Sequence, residues 1–458
     1  MLAKLKHIHF IGIGGIGMSG IAVVLKNLGF EITGSDLKET ELTKNLIRMG
    51  IKVFYGHRPE NCAGADVVVY SSAIPKDNIE LIAAQAKRVP VIPRAEMLAE
   101  LMRMKYSIAI SGSHGKTTVT SMISTILEKA GFDPTTVIGG RILGYATGAK
   151  LGKSEYLVAE ADESDRSFLL LYPTIAVITN IEREHLDYYK DLADIKRAFV
   201  KFANKVPFFG AVVICIDSPA VKEICPRLKR PKVTYGLNPK AMFSAVAIDS
   251  QPFGSEFTLV GKGETIDRFS IAIPGIHNVT NSLAAIAVAR QLDISYETIK
   301  IGLKEFGGVH RRLERIGEKN GIVFYDDYAH HPTEIKVALK TLRCSFPKQR
   351  IISIFQPHRY TRTKFLANDF GEAFVDCDLL LITEIYPASE LPIPGVSAQL
   401  IVDAIKANNS QHPQILYIKD KSEICDFLLP KLKPDDVIIT LGAGNIWEVG
   451  QELYSRIK

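Results

Sequence analysis

Between Ser111 and Thr118 the chain reads SGSHGKTT, a glycine loop that presents a lysine and two hydroxyls together. Backbone N–H groups in such a loop can wrap phosphate oxygens, and a following helix N-terminus adds partial positive charge. Lys116 would neutralise the β and γ phosphates of ATP, and the Thr117 hydroxyl would bind Mg²⁺. The match to G-x-x-x-x-G-K-[ST] is incomplete, because Ile110 occupies the place of the first glycine. A chance Gly-Lys-Thr in a loop is common. The apolar strand pattern before it, the helix pattern after it and the extra Gly112 point to ATP. The candidate contacts are Gly112, Ser113, His114, Gly115, Lys116, Thr117 and Thr118.

Two acidic groups follow. VAEADESD carries Glu160, Asp162, Glu163 and Asp165 at the end of an apolar run, where parallel sheets place active sites. TNIEREHLDYY carries Asn180, Glu182, Glu184, His185 and Asp187 after another apolar run. Either group alone reads as a solvated turn. Behind a phosphate loop they become metal candidates, since Mg²⁺ takes oxygen ligands and tolerates an imidazole. A second ion would further screen a transferring phosphoryl group. In GIHNVTN, Asn278 either caps a helix or, with Asn281, pairs with the edge of adenine.

Three further clusters lie near predicted strand ends toward the C-terminus. HRRLERIG offers Arg311 and Arg312, YDDYAHHPTE offers Asp326, Asp327, His330 and His331, and FQPHRYTRTK offers His358, Arg359 and Arg362. Arginines favour bidentate contact with carboxylate or phosphate. Any one cluster is an ordinary surface ion-pair set, but three together are harder to dismiss.

A second glycine loop opens the chain. KHIHFIGIGGIGMSGIAVVL holds Gly12, Gly14 and Gly17 in G-x-G-x-x-G order. That pattern alone is weak. It admits an NAD-dependent oxidoreductase, with Asp36 where a ribose-binding acid would sit. That reading leaves the second loop and the Asp327/His330 and Arg359/Arg362 groups unexplained.

The elements that must position these residues alternate between strand-like and helix-like patterns, which predicts parallel sheets covered by helices, an α/β chain. A helix is expected from Ser19 through Gly29. The rhythm restarts at Tyr106, and residues 233–274 read as a small antiparallel insert. A third unit begins after GGVHRRLERIGEKNG, with strands at IVFYDDYA, IISIFQ, LLLITEI and DVIITLGAG. The expected domains are 1–105, 106–308 and 309–458. The 458 residues are 47% hydrophobic, ample for several cores, and the net charge of +6 suits small anionic substrates. No Lys/Arg block is dense enough for nucleic acid. The six cysteines form neither C-x-x-C nor zinc spacing, which fits free thiols in a reducing cytoplasm. Five glycines between Gly12 and Gly20 break the only signal-peptide-like run, and no stretch is long and apolar enough to span a membrane.

Together these motifs resemble the Mur ligase family, the ATP-dependent amide ligases of peptidoglycan precursor synthesis. The resemblance runs from HFIGIGGIGMSGIA to GAGNIW and is most specific at that opening, GSHGKTT, DDYAHHPTE and FQPHRYTRT. Within the family it is nearest the member that adds the first amino acid, L-alanine, to UDP-N-acetylmuramate. Later-acting members typically have Asn where this chain has His114. The resemblance implies three domains: an N-terminal Rossmann-like one for UDP, a central P-loop ATPase-like one, and a C-terminal Rossmann-like one for the amino acid. It gives Lys116 to phosphate, Thr117 to the first Mg²⁺, and Glu160 and His185 to a second. It sets Asn278 and Asn281 against adenine, Arg312 against a nucleotide phosphate and Asp327 against a ribose. His330, Arg359 and Arg362 would hold the muramoyl carboxyl and the incoming alanine.

The opening loop would then bind the UDP substrate through Gly14, Gly15, Ile16 and Gly17, with Ser35, Asp36, Ser71 and Ser72 near the uridine or sugar. Some relatives carry a carbamylated lysine on the helix after the metal histidine; here Val200 takes that place, beside Lys201, and no carbamate is expected. The implied chemistry is attack of the lactyl carboxylate on ATP to form an acyl phosphate, then attack by alanine. Domain closure would assemble the site. Other readings are a ligase that recycles murein tripeptide and a non-catalytic nucleotide sensor. A monomer or homodimer is expected.

Overall fold

A computed structural model describes residues 5–71, 73–139, 149–185, 188–388, 390–408 and 413–457. The chain divides into two compact units. The first comprises Met1–Ile248, Glu256–Ala272 and Asn278–Val309; the second comprises Asp249–Ser255, Ile273–His277 and His310–Lys458.

The first unit holds two sheets. Strands β1 (His7–Ile11), β2 (Glu31–Asp36), β3 (Lys52–Tyr55), β4 (Val67–Tyr70) and β5 (Val91–Pro93) lie in the order 3-2-1-4-5, all parallel. Their connections include α1 (Ile16–Asn27), α2 (Glu41–Arg48) and α3 (Ile79–Ala86), and α4 (Arg94–Arg103) leaves the sheet. The order reverses between β1 and β4, so the carboxyl ends of those two strands frame a crevice. Helix α1 begins at Ile16, three residues before the expected Ser19, and takes Gly17 and Met18 into its first turn.

The second sheet is built on β6 (Tyr106–Ser111), which feeds α5 (Lys116–Lys129). Strands β7 (Thr135–Val137), β8 (Ala149–Lys150), β9 (Tyr156–Glu160), β10 (Ile175–Ile178), β11 (Ala211–Cys215) and β12 (Lys232–Tyr235) surround it, with α6 (Leu192–Ala203) between β10 and β11. β6 lies between β10 and β9, parallel to both, so the chain enters α5 with an acidic strand end on either side. Residues 233–274 are not a separate insert. β12 is a parallel member of the sheet, and β13 (Phe243–Gln251), β14 (Gly254–Gly261) and β15 (Glu264–Ile271) extend it through two-residue turns. In β14 the alternate residues Ser255, Phe257 and Leu259 are buried, the period of a sheet with one covered face. Helices α7 (Pro219–Ile224), α8 (Ile276–Gln291) and α9 (Tyr296–Glu305) complete this part. One apolar core, including Val24, Met102, Ala159 and Phe199, runs through both halves of the unit.

The second unit has β16 (Glu314–Lys319), β17 (Ile322–Asp327), β18 (Ile351–Phe355), β19 (Leu379–Ile382), β20 (Gln414–Tyr417) and β21 (Val437–Leu441) in the order 16-17-21-18-19-20. Only β16 is antiparallel. β17, β18 and β21 are buried along their whole length, as expected of continuous apolar runs covered on both faces. Helices α10 (Pro332–Ser345) and α11 (Tyr360–Phe370) follow β17 and β18. Among the described residues no helix is long and apolar enough to cross a membrane.

Candidate active site

The loop between β6 and α5 is shaped by two glycines. Gly112 has φ +140°, and a Cβ there would stand 2.1 Å from Thr179 Oγ1 and 3.0 Å from the backbone N and O of Asn180. Gly115 ends the loop at φ +83°, where a Cβ would meet Asn281 Oδ1 at 2.7 Å. The chain after β10 grips the loop from the side. Ser113 N donates to Asn180 O at 3.1 Å, His114 N donates to Asn180 Oδ1 at 2.8 Å, and Thr179 Oγ1 donates to His114 O at 2.6 Å. Helix α5 has no side-chain cap and no acid in its first turn. Among the described residues no capping side chain therefore competes for its first N–H groups, at Lys116, Thr117 and Thr118, as an anion site requires. Helices α2 and α6, by contrast, are capped by Thr40 and Asp191.

Lys116 arches back over this loop. Its ammonium donates to Gly112 O, to Ser113 O at 3.2 Å and to Glu163 Oε1 at 2.8 Å. Burial works against that charge, but the Glu163 and Asp162 carboxylates outweigh it and hold the lysine above its usual range. Burial pushes the Glu163 carboxyl above the usual carboxylate range, with Lys116 opposing.

Glu163, Glu184 and His185 bring one ligand atom each within 4.8 Å of one another. His185 sits at φ +55°, with Nε2 3.8 Å from Glu163 Oε1 and 3.6 Å from Glu184 Oε2. Glu163 Oε2 is buried without a hydrogen bond. Two carboxylates and an imidazole, one oxygen of them lacking a donor, are a donor set that fits Mg²⁺. Of the expected ligands, His185 belongs to this group. Glu160, at the end of β9, is not a member of it, and Thr117 lies in the first turn of α5. Asn281 Nδ2 donates to Asn278 Oδ1 at 3.3 Å, so these two residues stand together beside Gly115. Asp187 lies outside the described residues.

The opening loop repeats the design. Gly15 precedes α1 without a side-chain cap, and Gly12 has φ +80°. Ile16 starts α1, and Ser19 N donates to Gly15 O at 2.8 Å. Asp36 faces the loop and accepts from Gly14 N at 2.8 Å. Ser71 follows β4 beside Gly12, whose Cβ would stand 3.4 Å from that of Ser71. Ser72 lies outside the described residues. Ser35 serves the loop differently from expectation. Its carbonyl accepts from Gly12 N at 2.8 Å and Ile13 N at 3.0 Å, while its wholly buried hydroxyl donates inward to Glu80 at 2.6 Å.

Arg94 escaped the sequence analysis. It opens α4, lies 3.1 Å from where a Gly17 Cβ would stand, and reaches Asp162 at 3.6 Å. A single arginine after an ordinary Pro93 gives no spacing signal. The loop-gripping role of Thr179 was equally silent.

In the second unit, Arg311 and Arg312 diverge. Arg311 is spent on structure: Nε donates to Asp326 at 2.8 Å, and its Nη atoms donate to Gly442 O at 2.6 Å and Gly444 O at 3.1 Å. Arg312 lies 3.5 Å from Glu334 and over the Tyr328 ring. Asp327 accepts from Leu313 N and Ala329 N, both at 2.7 Å, and burial pushes its carboxyl up to about 7 against the pull of Arg312.

His330 Nδ1 stands 2.9 Å from Tyr328 O, a carbonyl that can only accept, so that nitrogen carries the hydrogen and Nε2 presents a lone pair. Burial holds the imidazole neutral, down at about 3. The ring is therefore built to accept a hydrogen bond rather than to keep a proton. His358 lies 5.7 Å from it by ring centroids, and Arg362 Nη1 donates to His358 Nδ1 at 3.2 Å. Arg359 precedes α11 at φ +71°, a region that disfavours side chains, and is pinned by its N–H to Tyr386 O at 2.9 Å. Its side chain is exposed.

Comparison with known proteins covers the whole chain. Residues 7–106 match the Mur ligase family catalytic domain, 110–289 the Mur ligase middle domain, and 311–444 the Mur ligase glutamate ligase domain. UDP-N-acetylmuramate–L-alanine ligases from Geobacter sp. (strain M21) and Geotalea uraniireducens (strain Rf4) are 51% and 52% identical over 458 residues, covering 100% of this chain and 99% of each relative. Among solved structures, the UDP-N-acetylmuramate–alanine ligase of Thermotoga maritima superposes with a TM-score of 0.84 at 28% identity, over 99% of both chains. A murein peptide ligase from Psychrobacter arcticus 273-4 shares the fold, with a TM-score of 0.72 at 24% identity over 98% of both chains. Likeness of this depth, running from one end to the other, makes this chain a member of the Mur ligase family.

Proposed function

We propose that this chain joins L-alanine to the lactyl carboxylate of UDP-N-acetylmuramate, giving UDP-N-acetylmuramoyl-L-alanine, ADP and phosphate in peptidoglycan precursor synthesis. The observation that carries this is the half-identity, end to end, to relatives that bear that activity in their names. A carboxylate is a poor electrophile at neutral pH. Transfer of the γ-phosphoryl group from ATP gives an acyl phosphate, the alanine amine attacks its carbonyl, and phosphate leaves.

The ATP phosphates would lie in the Gly112–Thr118 loop, on the uncapped N–H groups of α5. Their charge would draw the Lys116 ammonium off Glu163 and onto the phosphoryl oxygens. Magnesium, when bound, would screen the negative charge of those oxygens. Thr117, Glu160 and His185 are the proposed ligands, and the grouping of Glu163 and Glu184 with His185 supports adding those two. Asn278 and Asn281 would meet the adenine, Arg312 a phosphate and Asp327 the ribose. The Gly14–Gly17 loop with Asp36, Ser71 and Ser72 would hold the UDP diphosphate and sugar, and Arg94 adds positive charge at that end. Arg359 and Arg362 would hold carboxylates, and His330 Nε2 would accept a hydrogen bond from the incoming ammonium. Domain limits near residues 105 and 308, a cytoplasmic location and a monomer or homodimer complete the proposal.

The test is phosphate release from ATP with UDP-N-acetylmuramate, with and without L-alanine. Release that depends on L-alanine supports the reading. Release with murein tripeptide and not with alanine would assign the chain to peptide recycling instead.

A further inference from the structure

Glu80, in the first turn of α3, is wholly buried, and it takes no part in the proposed chemistry. Its Oε1 accepts from Arg58 N at 3.1 Å and Asn61 Nδ2 at 2.6 Å. Its Oε2 accepts from Ser35 Oγ at 2.6 Å and His9 Nε2 at 3.4 Å. A carboxylate offers about four acceptor sites, and here each meets a donor. Burial alone would push this carboxyl up, but the donors prevail and hold it down at about 2. The donors come from β1, from β2 and from the segment after β3, so Glu80 ties the helix to two neighbouring strands and to that segment.

One of those ties leads to the substrate loop. Three consecutive residues of β2 seat Gly12, Ile13 and Gly14. Gly34 presents bare backbone, where a Cβ would stand 2.5 Å from the Ile13 side chain. Ser35 O accepts from the N–H of Gly12 and of Ile13, and Asp36 Oδ2 accepts from Gly14 N. Side chains alternate along a strand, so Ser35 points away from Asp36, directly at Glu80. The middle point of the seat is thus fixed from behind.

We propose that Glu80 is a positioning residue for UDP-N-acetylmuramate: it locks Ser35, and Ser35 sets the loop that receives the diphosphate. This rests on the reading of that loop as the UDP anchor. Removing the charge while keeping the shape puts an amide N–H₂ against groups that already donate, and the seat shifts.

In Glu80→Gln the KM for UDP-N-acetylmuramate should rise about ten-fold or more, with kcat and the KM for ATP and L-alanine within about two-fold. Ser35→Ala removes the link to Glu80, together with the contact of the same hydroxyl with His57 Nδ1 at 3.1 Å, and leaves the other three donors on Glu80. It should raise the same KM about three-fold and decides the matter if Glu80→Gln does not fold. Gly14→Val is the reference, because its side chain would enter the seat, where a Cβ already meets Asp36 Oδ2 at 2.8 Å. The proposal is overturned if Gly14→Val raises the KM for the UDP substrate and the folded Glu80→Gln and Ser35→Ala do not. It is also overturned if kcat and every KM deteriorate together, the mark of a merely structural residue. If none of the three variants moves that KM, the UDP-anchor reading fails and takes the proposal with it.

Discussion

The Gly112→Ala substitution should separate ATP binding from everything else the chain does. Gly112 sits at φ +140°, outside the range of L-residues, and the new methyl would lie 2.1 Å from Thr179 Oγ1 with Asn180 N and O at 3.0 Å. Alanine at such a backbone angle costs about 1–3 kcal/mol. Pushing Thr179 aside also weakens its hydrogen bond to His114 O, worth about 1 kcal/mol. The sum, about 2–4 kcal/mol, is within the stability of an ordinary domain, so the protein stays folded. The cheapest relief is for the loop to move, which spoils the cradle rather than the core. At about 1.4 kcal/mol per ten-fold, the KM for ATP should rise about 30- to 700-fold. The KM for UDP-N-acetylmuramate should stay within about two-fold, because the loop proposed to hold it belongs to the other sheet of the unit. Phosphate release against ATP concentration reads this directly. Gly131→Ala is the control. Its φ is +80°, but a Cβ would meet nothing within 4 Å, so it should lower stability by about 1–2 kcal/mol and leave ATP alone. An unchanged KM for ATP in Gly112→Ala, or an equal rise in Gly131→Ala, refutes the argument.

Lys116→Ala should lower kcat by at least about 10²–10³-fold while calorimetry still shows UDP-N-acetylmuramate binding; normal turnover would sink the assignment of Lys116 to phosphate. Arg359→Gly should leave stability unchanged or up to about 1 kcal/mol higher, since it relieves a φ of +71°, yet reduce turnover about 100-fold or more. A destabilised variant with intact kinetics would show that the strained arginine serves the fold. His330 should make stability pH-dependent. Its folded value, about 3, lies below the ordinary 6.5, so the unfolded chain takes up a proton first and stability falls as pH drops from about 6.5 toward 3. Between pH 7.5 and 5 that amounts to about 2 kcal/mol, absent in His330→Asn. Parallel denaturant titrations of the two proteins at both pH values check it, and equal losses would refute a neutral, half-buried imidazole.

What the sequence shows of this molecule is mainly its strands and its punctuation. The apolar runs at β6, β17, β18 and β21 were legible because both faces of these strands are covered and little but apolar residues fits. β16 was not. ERIGEK carries four charges, is partly exposed, and joins the sheet as an antiparallel edge with a bulge between Arg315 and Gly317. The early start of α1 was hidden by Gly15 and Gly17, which read as loop until the helix is seen to open on them. Lys116 and Gly112 declared themselves by spacing. Glu163 and Glu184 stood in acidic runs where spacing could not rank them; Glu184 adjoins His185 in the chain, and the fold draws Glu163 to the pair. Glu80 and Arg94 carried no signal, because what singles them out is burial in one case and a neighbour across the sheets in the other.

The two glycine loops make the same point about ligands. Each follows a buried parallel strand, each opens an uncapped helix, and each is therefore suited to phosphate. Nothing in the glycines says which phosphate. The difference lies in what stands around them. Behind Gly112–Gly115 are an ammonium and a carboxylate–imidazole cluster, the charges needed to move a phosphoryl group. Behind Gly12–Gly14 stands β2, with Asp36 on the loop and Ser35 backed by Glu80 and His9, a network taken up in shaping the loop. Asp36, the acid that makes the first loop look like a nicotinamide site, has Oδ2 taken up by Gly14 N and Oδ1 3.3 Å from Lys38 N. A carboxylate committed to shaping the loop is poorly placed to read a ribose. On the proposed reading, the acid that suggested a dinucleotide is part of the wall of a site that would grip a diphosphate without reacting with it.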